Sequence, residues 1–399
     1  MGSDQGSAKK QRLAAMFLLA LTVANVRGAL QAVPLLRQGY QDFTAFYCGG
    51  EIVRRGETAR LYDLGLQGKI QREFAPEVSI RQAALPYNHP PFEALLFAPL
   101  THLSYFPAYL VWTALGTTML AAAMACLRRT YKDAGELNGA FLLLAALGFA
   151  PFMLTLTLGQ DSVLLMFLAT VALILMEQER DVTAGAVLAA CLFKFQFAIP
   201  LAVVMAARRP RVLLGFCAGA VVLAGVSAAM VGGNELVDYA GWLLHLEKSG
   251  AGGAIPAERM VSLHGLAAVL TGGAGHGTAA AGITVLASLA IVAAAMWVAR
   301  QVREFRWAFA VAVVTALVVS YHALAQDLTV LLPVVAMLFA ARAPRGRGET
   351  WGDTSLLVAL YAVCWAAARV LWLNPLWVIP VLSWIWWKRR SGDSVEAVA

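Results

Sequence analysis

The sequence has few charged residues and few cysteines for its length. Only 14% of the 399 residues are charged and 60% are hydrophobic, whereas soluble domains usually have about 25% charged and 45–50% apolar residues. This deficit of charge excludes a soluble globular protein. Four of the five cysteines lie inside apolar segments and only Cys48 lies outside them. The sequence therefore predicts no disulfide and no zinc knuckle.

Several nucleotide- and metal-binding motifs are also absent. The chain has no Asp-x-Asp motif for a metal-bound nucleotide sugar, no P-loop, and no glycine-rich dinucleotide fingerprint on a strand–helix turn. No metal-ligand spacing is found among His89, His102, His245, His264 and His276. The sequence therefore predicts neither a metal centre nor a cofactor.

Long apolar stretches make up most of the chain. Windows of roughly 16 to 25 residues with almost no charge recur from Leu13 to Trp387, and such a length of helix crosses the ~30 Å of membrane hydrocarbon. We predict an all-α integral membrane protein with about 11 or 12 transmembrane helices. Residues 1–390 would form one domain with external loops at 35–103 and 232–278, and residues 391–399 a disordered cytoplasmic tail.

The net charge of +7 follows the predicted membrane topology and does not indicate a nucleic-acid partner. The external loop 37–93 is neutral, with seven basic and seven acidic residues. If the amino terminus is cytoplasmic, the basic clusters fall on the cytoplasmic side, as the positive-inside rule requires. These clusters include Arg128 and Arg129; Arg208, Arg209 and Arg211; Arg300, Arg303 and Arg306; and Lys388, Arg389 and Arg390. The pattern predicts a multi-pass membrane protein whose external loops face away from the cytoplasm. We expect the membrane to be the bacterial cytoplasmic (inner) membrane, with these loops facing the periplasm or exterior.

The number of predicted crossings requires one segment to enter and leave the membrane on the same side. If residues 182–207 crossed once, Arg208 and every later basic cluster would lie outside. A broken re-entrant hairpin with its break near Lys194 avoids this, and its free backbone groups would face protein or a wet cavity. The alternative is a single span in which Lys194 reaches towards the interface, at a cost on the order of 3 kcal/mol.

A short amphipathic helix follows the first apolar segment and begins at Asp42. Its apolar or small residues have the three-and-four spacing of one helical face, so we expect it to lie on the outer membrane surface. Asp42 is then a candidate general base at the mouth of a cavity enclosed by the membrane helices. The alternative is that Asp42 caps the helix by accepting a hydrogen bond from a free backbone N–H group.

Four basic side chains fall at the outer half of their predicted helices, namely Arg27, Lys194, His322 and Arg369. Charged groups at this depth are costly and are therefore functional candidates. Lys194 at a helix break and His322 at a helix tip suit an anionic phosphate, one as a point charge and the other as a hydrogen-bond donor. As alternatives, Arg27 and Arg369 could extend to the outer headgroups, and His322 could be structural.

Seven stretches resemble, in order, one known family. They are DFTAFYCGGEIVRRG, LYD, YNHPPFEALLFAPLTHLSYFPAYLVW, LGQDSVLLMFL, AGAVLAACLFKFQFAIPLAVVMAARR, SLHGL and SYHALAQDLTVLLP. Together they are similar to the polyprenyl-phosphate-sugar-dependent glycosyltransferases of family 87, within the GT-C superfamily. The similarity extends over roughly residues 15 to 340.

The resemblance implies a GT-C bundle that transfers mannose or a related sugar, with inversion, from a polyprenyl phosphate to a lipid or glycan acceptor on the external face. It implies that Asp42 is the general base and that Lys194 and His322 contact the donor phosphate. Arg369 lies beyond the similar region and is a further candidate for the phosphate site from its predicted position in the membrane. The residues expected to line the substrate cavity are Tyr47, Tyr62, His89, Gln160, Gln196 and His264. Tyr47 and Tyr62 could equally be anchors in the membrane interface.

A second hypothesis is a flippase for lipid-linked sugars or another secondary transporter. Discontinuous helices and charges at mid-membrane are typical of transporters. That hypothesis predicts two related halves in the sequence, and none is evident. It also leaves the helix that begins at Asp42 without a role.

Overall fold

The structure, a computed structural model, describes residues 2–75, 85–131, 139–249, 257–271, 278–341, 349–367 and 376–396. Within these ranges every regular element is a helix and no strand is found. The predicted all-α fold is therefore confirmed. All five cysteines are free thiols.

The helices are numbered here in chain order. They are α1 (Gly2–Arg37), α2 (Phe43–Arg54), α3 (Leu64–Phe74), α4 (Pro91–Phe97), α5 (Tyr105–Thr130), α6 (Gly139–Gly148), α7 (Ala150–Leu158), α8 (Ser162–Glu177), α9 (Asp181–Ala190), α10 (Phe195–Ala206), α11 (Arg211–Val231), α12 (Gly233–Ser249), α13 (Leu263–Leu270), α14 (Thr278–Gln301), α15 (Phe305–Val319), α16 (Leu332–Ala340), α17 (Glu349–Ala367) and α18 (Val378–Glu396). Short 3-10 helices cover Thr58–Arg60, Ala98–His102, Cys191–Lys194, Ala257–Arg259 and Ala325–Leu331.

Five helical segments in the described ranges are long and apolar enough to cross a membrane. They are Arg12–Arg37, Tyr105–Thr130, Asp181–Ala206, Arg211–Val231 and Gly282–Gln301, and helices α6 and α7, bent by 68°, make a sixth candidate if counted as one span. Further apolar helices of 10–17 residues are shorter than the ~20 residues of a typical span. The predicted number of 11 or 12 includes these shorter helices.

The segment Asp181–Ala206 has 26 residues and qualifies as a span by length and composition, but its two ends lie together. A straight helix of this length would separate its ends by about 39 Å. Instead, Arg209 Nη1 lies 3.9 Å from Asp181 Oδ2. The chain therefore folds back through the 3-10 turn Cys191–Lys194, which is the hairpin that the basic clusters predict.

Helix α11 then begins beside the start of α9. At Gly185 an added Cβ would come within 1.9 Å of the Val212 carbonyl oxygen, so the two helices pack with their backbones nearly in contact. This close packing holds the hairpin base against the next helix.

Helix α2 does not lie on a surface as the sequence predicts, because residues Phe43 to Ile52 are all buried. The segment that contains α4 and the following 3-10 helix packs over it. An added Cβ at Gly50 would lie 2.6 Å from the Phe97 carbonyl carbon, and the Phe46 and Phe97 rings stack at 4.7 Å. The apolar face that suggested contact with lipid is covered by protein.

Several basic clusters meet on one face of the bundle. Arg208 Nη1 donates to the Val302 carbonyl at 2.6 Å, and Arg300 Nε donates to the Ala207 carbonyl at 2.9 Å. Tyr131 donates to Glu177 at 2.6 Å. Helix α8 extends from Glu177 to Ser162, a length of about 24 Å, and so connects this face to the buried charges described below.

The described chain ends in a helix. Helix α18 continues to Glu396, so residues 391–396, where the sequence predicts a disordered tail, are helical. Lys388 within this helix is buried and donates to Asp353 on α17 at 2.8 Å.

Candidate active site

Asp42 precedes helix α2 but does not cap it. Its backbone has the helical angles φ −60° and ψ −26°, and its side chain makes no capping hydrogen bond. Instead, Gln160 Nε2 donates to Asp42 Oδ2 at 2.8 Å. Gln160 lies in the turn between α7 and α8, 118 residues along the chain. The carboxylate is therefore held by a distant part of the fold, and the capping alternative is wrong for this residue.

A buried ionic centre lies next to this contact. Lys194 Nζ is 2.8 Å from Asp161 Oδ1 and 3.0 Å from Ser162 Oγ, and it also contacts Asp327 Oδ1. Ser162 donates to Asp327 at 2.7 Å. The ammonium group has three N–H donors, so each one has an acceptor in this centre.

Each member of the centre comes from a break in a helix. Asp161 precedes α8, Lys194 ends the 3-10 turn at the hairpin tip, and Asp327 lies in the 3-10 helix before α16. The side chains of Asp161, Lys194 and Asp327 are at most 8% exposed. Breaks of this kind within a membrane bundle are stable only where protein or water satisfies the free backbone groups. Asp327 contributes to this by accepting from the Leu324 backbone N–H at 2.8 Å.

His89 and Glu93 extend the centre towards the external loop. His89 Nδ1 lies 2.7 Å from Glu93 Oε2 and 3.6 Å from Asp161 Oδ2. Burial raises the pKa of Glu93 to about 8, with a further contribution from the charge of Asp161. Although burial alone would lower it, the pKa of His89 is raised because the carboxylates of Glu93 and Asp161 favour its charged form. This part of the site therefore holds protons near neutral pH.

His322 and Gln196 lie close to Lys194. Gln196 Nε2 donates to the His322 carbonyl oxygen at 3.3 Å, which connects the hairpin tip to the loop after α15. Burial lowers the pKa of His322 to about 4, and the nearby Lys194 and His89 also disfavour its charged form. His322 is therefore neutral at pH 7 in this arrangement.

His264 lies beside that same loop. Its Nδ1 is 3.0 Å from the Tyr321 carbonyl oxygen, and its ring stacks on the Tyr321 ring at 4.9 Å. The charge of His264 also acts on His322. The SLHGL motif therefore contributes a side chain to the rim of the same centre.

Tyr62 and Tyr47 differ in their surroundings. Tyr62 donates to the His89 carbonyl oxygen at 2.9 Å and packs on Trp242 of helix α12 at 4.6 Å, so it borders the site. Tyr47 is buried among Phe74 and Tyr105 and donates to the Leu103 carbonyl oxygen at 2.8 Å. Its contacts are those of a packed core residue. Arg369 lies outside the described residues.

Two cavities in the described part of the bundle differ in their position relative to the ionic centre. The larger has an empty volume of about 380 Å³ and apolar walls between α5, α6, α16 and α17, away from the ionic centre. The smaller, of about 240 Å³, is lined by Gln160 together with Trp112, Gly116, Gly159, Val163 and Leu164. Of these two cavities, the smaller adjoins Gln160, the residue that contacts Asp42.

Two residues of the centre are not evident as site residues from the sequence. Glu93 follows a Pro-Pro pair in an apolar run, and its burial follows only from the packing of α4 over α2. The sequence places Asp327 at the outer end of a predicted helix, as a polar residue. Its contact with Lys194 joins positions 133 residues apart, which no local pattern specifies.

The apolar helical bundle defines a multi-pass membrane protein, and the carboxylate beside the buried ionic centre is its candidate active site. The chain belongs to glycosyltransferase family 87, because the model of that family matches residues 87–320, more than half of the chain. The matched region includes His89, Asp161 and Lys194, whereas Asp42 and Asp327 lie on either side of it. No curated protein and no solved structure matches the chain.

Proposed function

We propose that the protein transfers a sugar, mannose or a related hexose, from a polyprenyl phosphate to an acceptor hydroxyl with inversion at the anomeric carbon. The observation that carries this proposal is the position of Asp42. Its carboxylate makes no helix cap and is held by Gln160 beside a buried ionic centre. A base that removes a proton in the transition state needs such fixed orientation.

In the proposed reaction, Asp42 accepts the proton of the acceptor hydroxyl while the hydroxyl oxygen bonds to the anomeric carbon. The bond between that carbon and the phosphate oxygen breaks, and the electron pair leaves with the polyprenyl phosphate. A carboxylate of ordinary basicity suffices when the transition state resembles an oxocarbenium ion. The balanced products are a glycoside, a polyprenyl phosphate and a proton on Asp42.

Lys194, His322 and Arg369 are the proposed partners of the donor phosphate. The geometry gives Lys194 a second task, because its three donors hold Asp161, Asp327 and Ser162 together. His322, neutral at pH 7, would donate a hydrogen bond, and an approaching anion would favour its charged form. We therefore propose that His322 contacts the phosphate directly and that Lys194 acts chiefly by positioning the centre.

Exposed apolar side chains near the site support a lipid-linked donor. Residues next to Gln160 are mainly apolar, and residues of α5 such as Leu110 and Leu115 expose 50% and 43% of their surface. A polyprenyl chain lying against α5 would bring its phosphate close to the site. The same arrangement suits a lipid better than a soluble nucleotide sugar.

The distribution of charge supports an external site. The basic face lies about one α8 length, roughly 24 Å, from the ionic centre, and positively charged faces are usually cytoplasmic. We therefore propose that the protein resides in the bacterial cytoplasmic membrane with Asp42 facing the periplasm or exterior. The acceptor is proposed to be a lipid or glycan. The rings of Tyr62, Tyr239 and Trp242 beside His89 suit stacking on its sugar.

The test is to incubate the purified protein with a panel of polyprenyl-phospho-sugars and candidate acceptors. Mass spectrometry should detect a transferred hexose, and NMR should show an anomeric configuration opposite to that of the donor. A glycoside with retained configuration would contradict the inverting mechanism.

A transporter remains the second candidate, because the hairpin and buried Lys194 are features that transporters share. Movement of labelled lipid across liposomes with no glycoside formed would favour it.

A further inference from the structure

Three potential metal ligands converge at the external edge of the ionic centre. They are His89 Nδ1, a carboxylate oxygen of Glu93 and a carboxylate oxygen of Asp161, all within 4.8 Å of one another. The distances from Nδ1 are 2.7 Å to Glu93 Oε2 and 3.6 Å to Asp161 Oδ2. Adjacent ligands at about 2.1 Å from a metal ion are roughly 3.0 to 3.4 Å apart, so these distances bracket the separation that coordination requires.

The two carboxylates are buried and incompletely satisfied. Glu93 and Asp161 are both 0% exposed, and among the described residues no hydrogen-bond donor reaches Glu93 Oε1. The Phe46 ring packs against His89 at 4.7 Å and keeps this side of the cluster apolar. Burying a carboxylate oxygen without a donor or a cation is costly. The carboxylate of Glu93, whose two oxygens are buried without a hydrogen-bond donor among the described residues and whose Oε2 lies 2.7 Å from His89 Nδ1, points to a cationic ligand.

The charges of the centre indicate the same class of ligand. The centre contains three carboxylates, those of Glu93, Asp161 and Asp327, and one ammonium group, that of Lys194, which contacts Asp161 and Asp327. With Glu93 deprotonated and His89 neutral, the state that metal binding requires, this set has a formal charge of −2. An anionic phosphate would be repelled by such a site. One divalent cation would reduce the formal charge to zero and leave its open coordination positions available to the phosphate.

We propose that His89, Glu93 and Asp161 bind a divalent metal cation at the external edge of the ionic centre. One imidazole nitrogen with two carboxylates suits Mn²⁺ or Zn²⁺ better than Ca²⁺, which prefers oxygen ligands alone. His89 would bind through Nδ1 and keep its proton on Nε2. The use of the cation in holding the donor phosphate rests on the proposed function, whereas its binding does not.

The test uses the purified full-length protein in detergent, stripped with EDTA and titrated with MnCl₂, ZnCl₂ or MgCl₂ in the absence of any donor. Mn²⁺ electron paramagnetic resonance and elemental analysis for zinc should give one ion per chain. Glu93→Gln and His89→Gln should each lower the affinity at least tenfold. Glu73→Gln changes an exposed external carboxylate paired with Arg55 and should leave the affinity unchanged.

Two results would overturn the proposal. One is the lack of stoichiometric binding of any of the three cations to wild-type protein at millimolar concentration. The other is equal affinity in folded Glu93→Gln protein. If the variants do not fold, the ligands can be identified by X-ray absorption spectroscopy of zinc-loaded wild-type protein. The proposal predicts one histidine nitrogen together with oxygen ligands. A coordination shell without nitrogen would contradict it. Because the metal titration contains no sugar donor, a failure to bind metal would not affect the outcome of the sugar-transfer test.

Discussion

Asp42 and Asp63 occupy similar positions in the sequence but have different contacts. Each precedes a short helix in the segment between α1 and α4. Asp63 has extended backbone angles, φ −72° and ψ 103°, and its Oδ1 accepts from the Leu66 backbone N–H at 3.0 Å. Asp42 has helical angles and its carboxylate accepts from Gln160. Because a capping side chain needs a non-helical backbone, the local conformation decides which aspartate is a cap and which is available for chemistry.

The largest expected effect is on turnover in the Asp42→Asn variant. Loss of the general base should reduce sugar transfer by about 10²- to 10⁴-fold, because asparagine cannot accept the acceptor proton. Asp63→Asn, the matched change at the other helix, should retain turnover within about twofold of wild type. The rates of glycoside formation measure both. Equal losses of turnover in Asp42→Asn and Asp63→Asn would contradict the assignment of different roles to the two aspartates.

Lys194→Met should produce the largest loss of stability. It leaves Asp161 and Asp327 buried without their cation, which costs about 3 to 5 kcal/mol for a broken buried ion pair. Lys69→Met, at an exposed position on α3, serves as the control and should change the free energy of unfolding by less than about 0.5 kcal/mol. Denaturant unfolding in mild detergent measures both values. A loss below about 1 kcal/mol for Lys194→Met would show that the centre does not depend on this charge.

Gln160→Ala should affect Asp42 through its orientation alone. Without the 2.8 Å hydrogen bond, the carboxylate samples other rotamers, and we expect turnover to fall roughly 10- to 100-fold with donor affinity unchanged. Gln38→Ala, an exposed glutamine close to Asp42 in sequence, should have wild-type turnover. If Gln160→Ala is fully active, the base does not depend on this contact.

Asp63→Ala should have the smallest effect. Removing the cap of α3 should lower the free energy of unfolding by about 1 kcal/mol, with turnover retained. Thermal unfolding and the glycosyl-transfer rate, measured on the same preparation, test this expectation. A loss of turnover comparable to that of Asp42→Asn would mean that Asp63 also belongs to the site.

Much of the fold is predictable from the sequence, because charge and hydropathy act over whole segments. The basic clusters favour a hairpin around Lys194 over a single span, and the contact between Asp181 and Arg209 confirms the hairpin. The burial of α2 is not predictable in the same way. Its apolar face suits lipid and protein equally, and only the packing of α4 against Gly50 decides between them.

The site is less predictable than the fold. Depth in the membrane singles out Lys194 and His322, and position in the chain singles out Asp42. The neighbours of Lys194 follow from tertiary packing, which brings Asp161 and Asp327 to the hairpin tip from distant segments. His89 and Glu93 are four residues apart across Pro90 and Pro91, a spacing that matches no common metal motif. Their approach to Asp161 is visible only in three dimensions.

The most direct test of the central claim is to measure donor binding and product formation on the same Asp42→Asn preparation. The account predicts a donor dissociation constant within about twofold of wild type together with turnover reduced at least 10²-fold, because Asp42 acts on the acceptor hydroxyl. Turnover at the wild-type rate would contradict the assignment of Asp42 as the base.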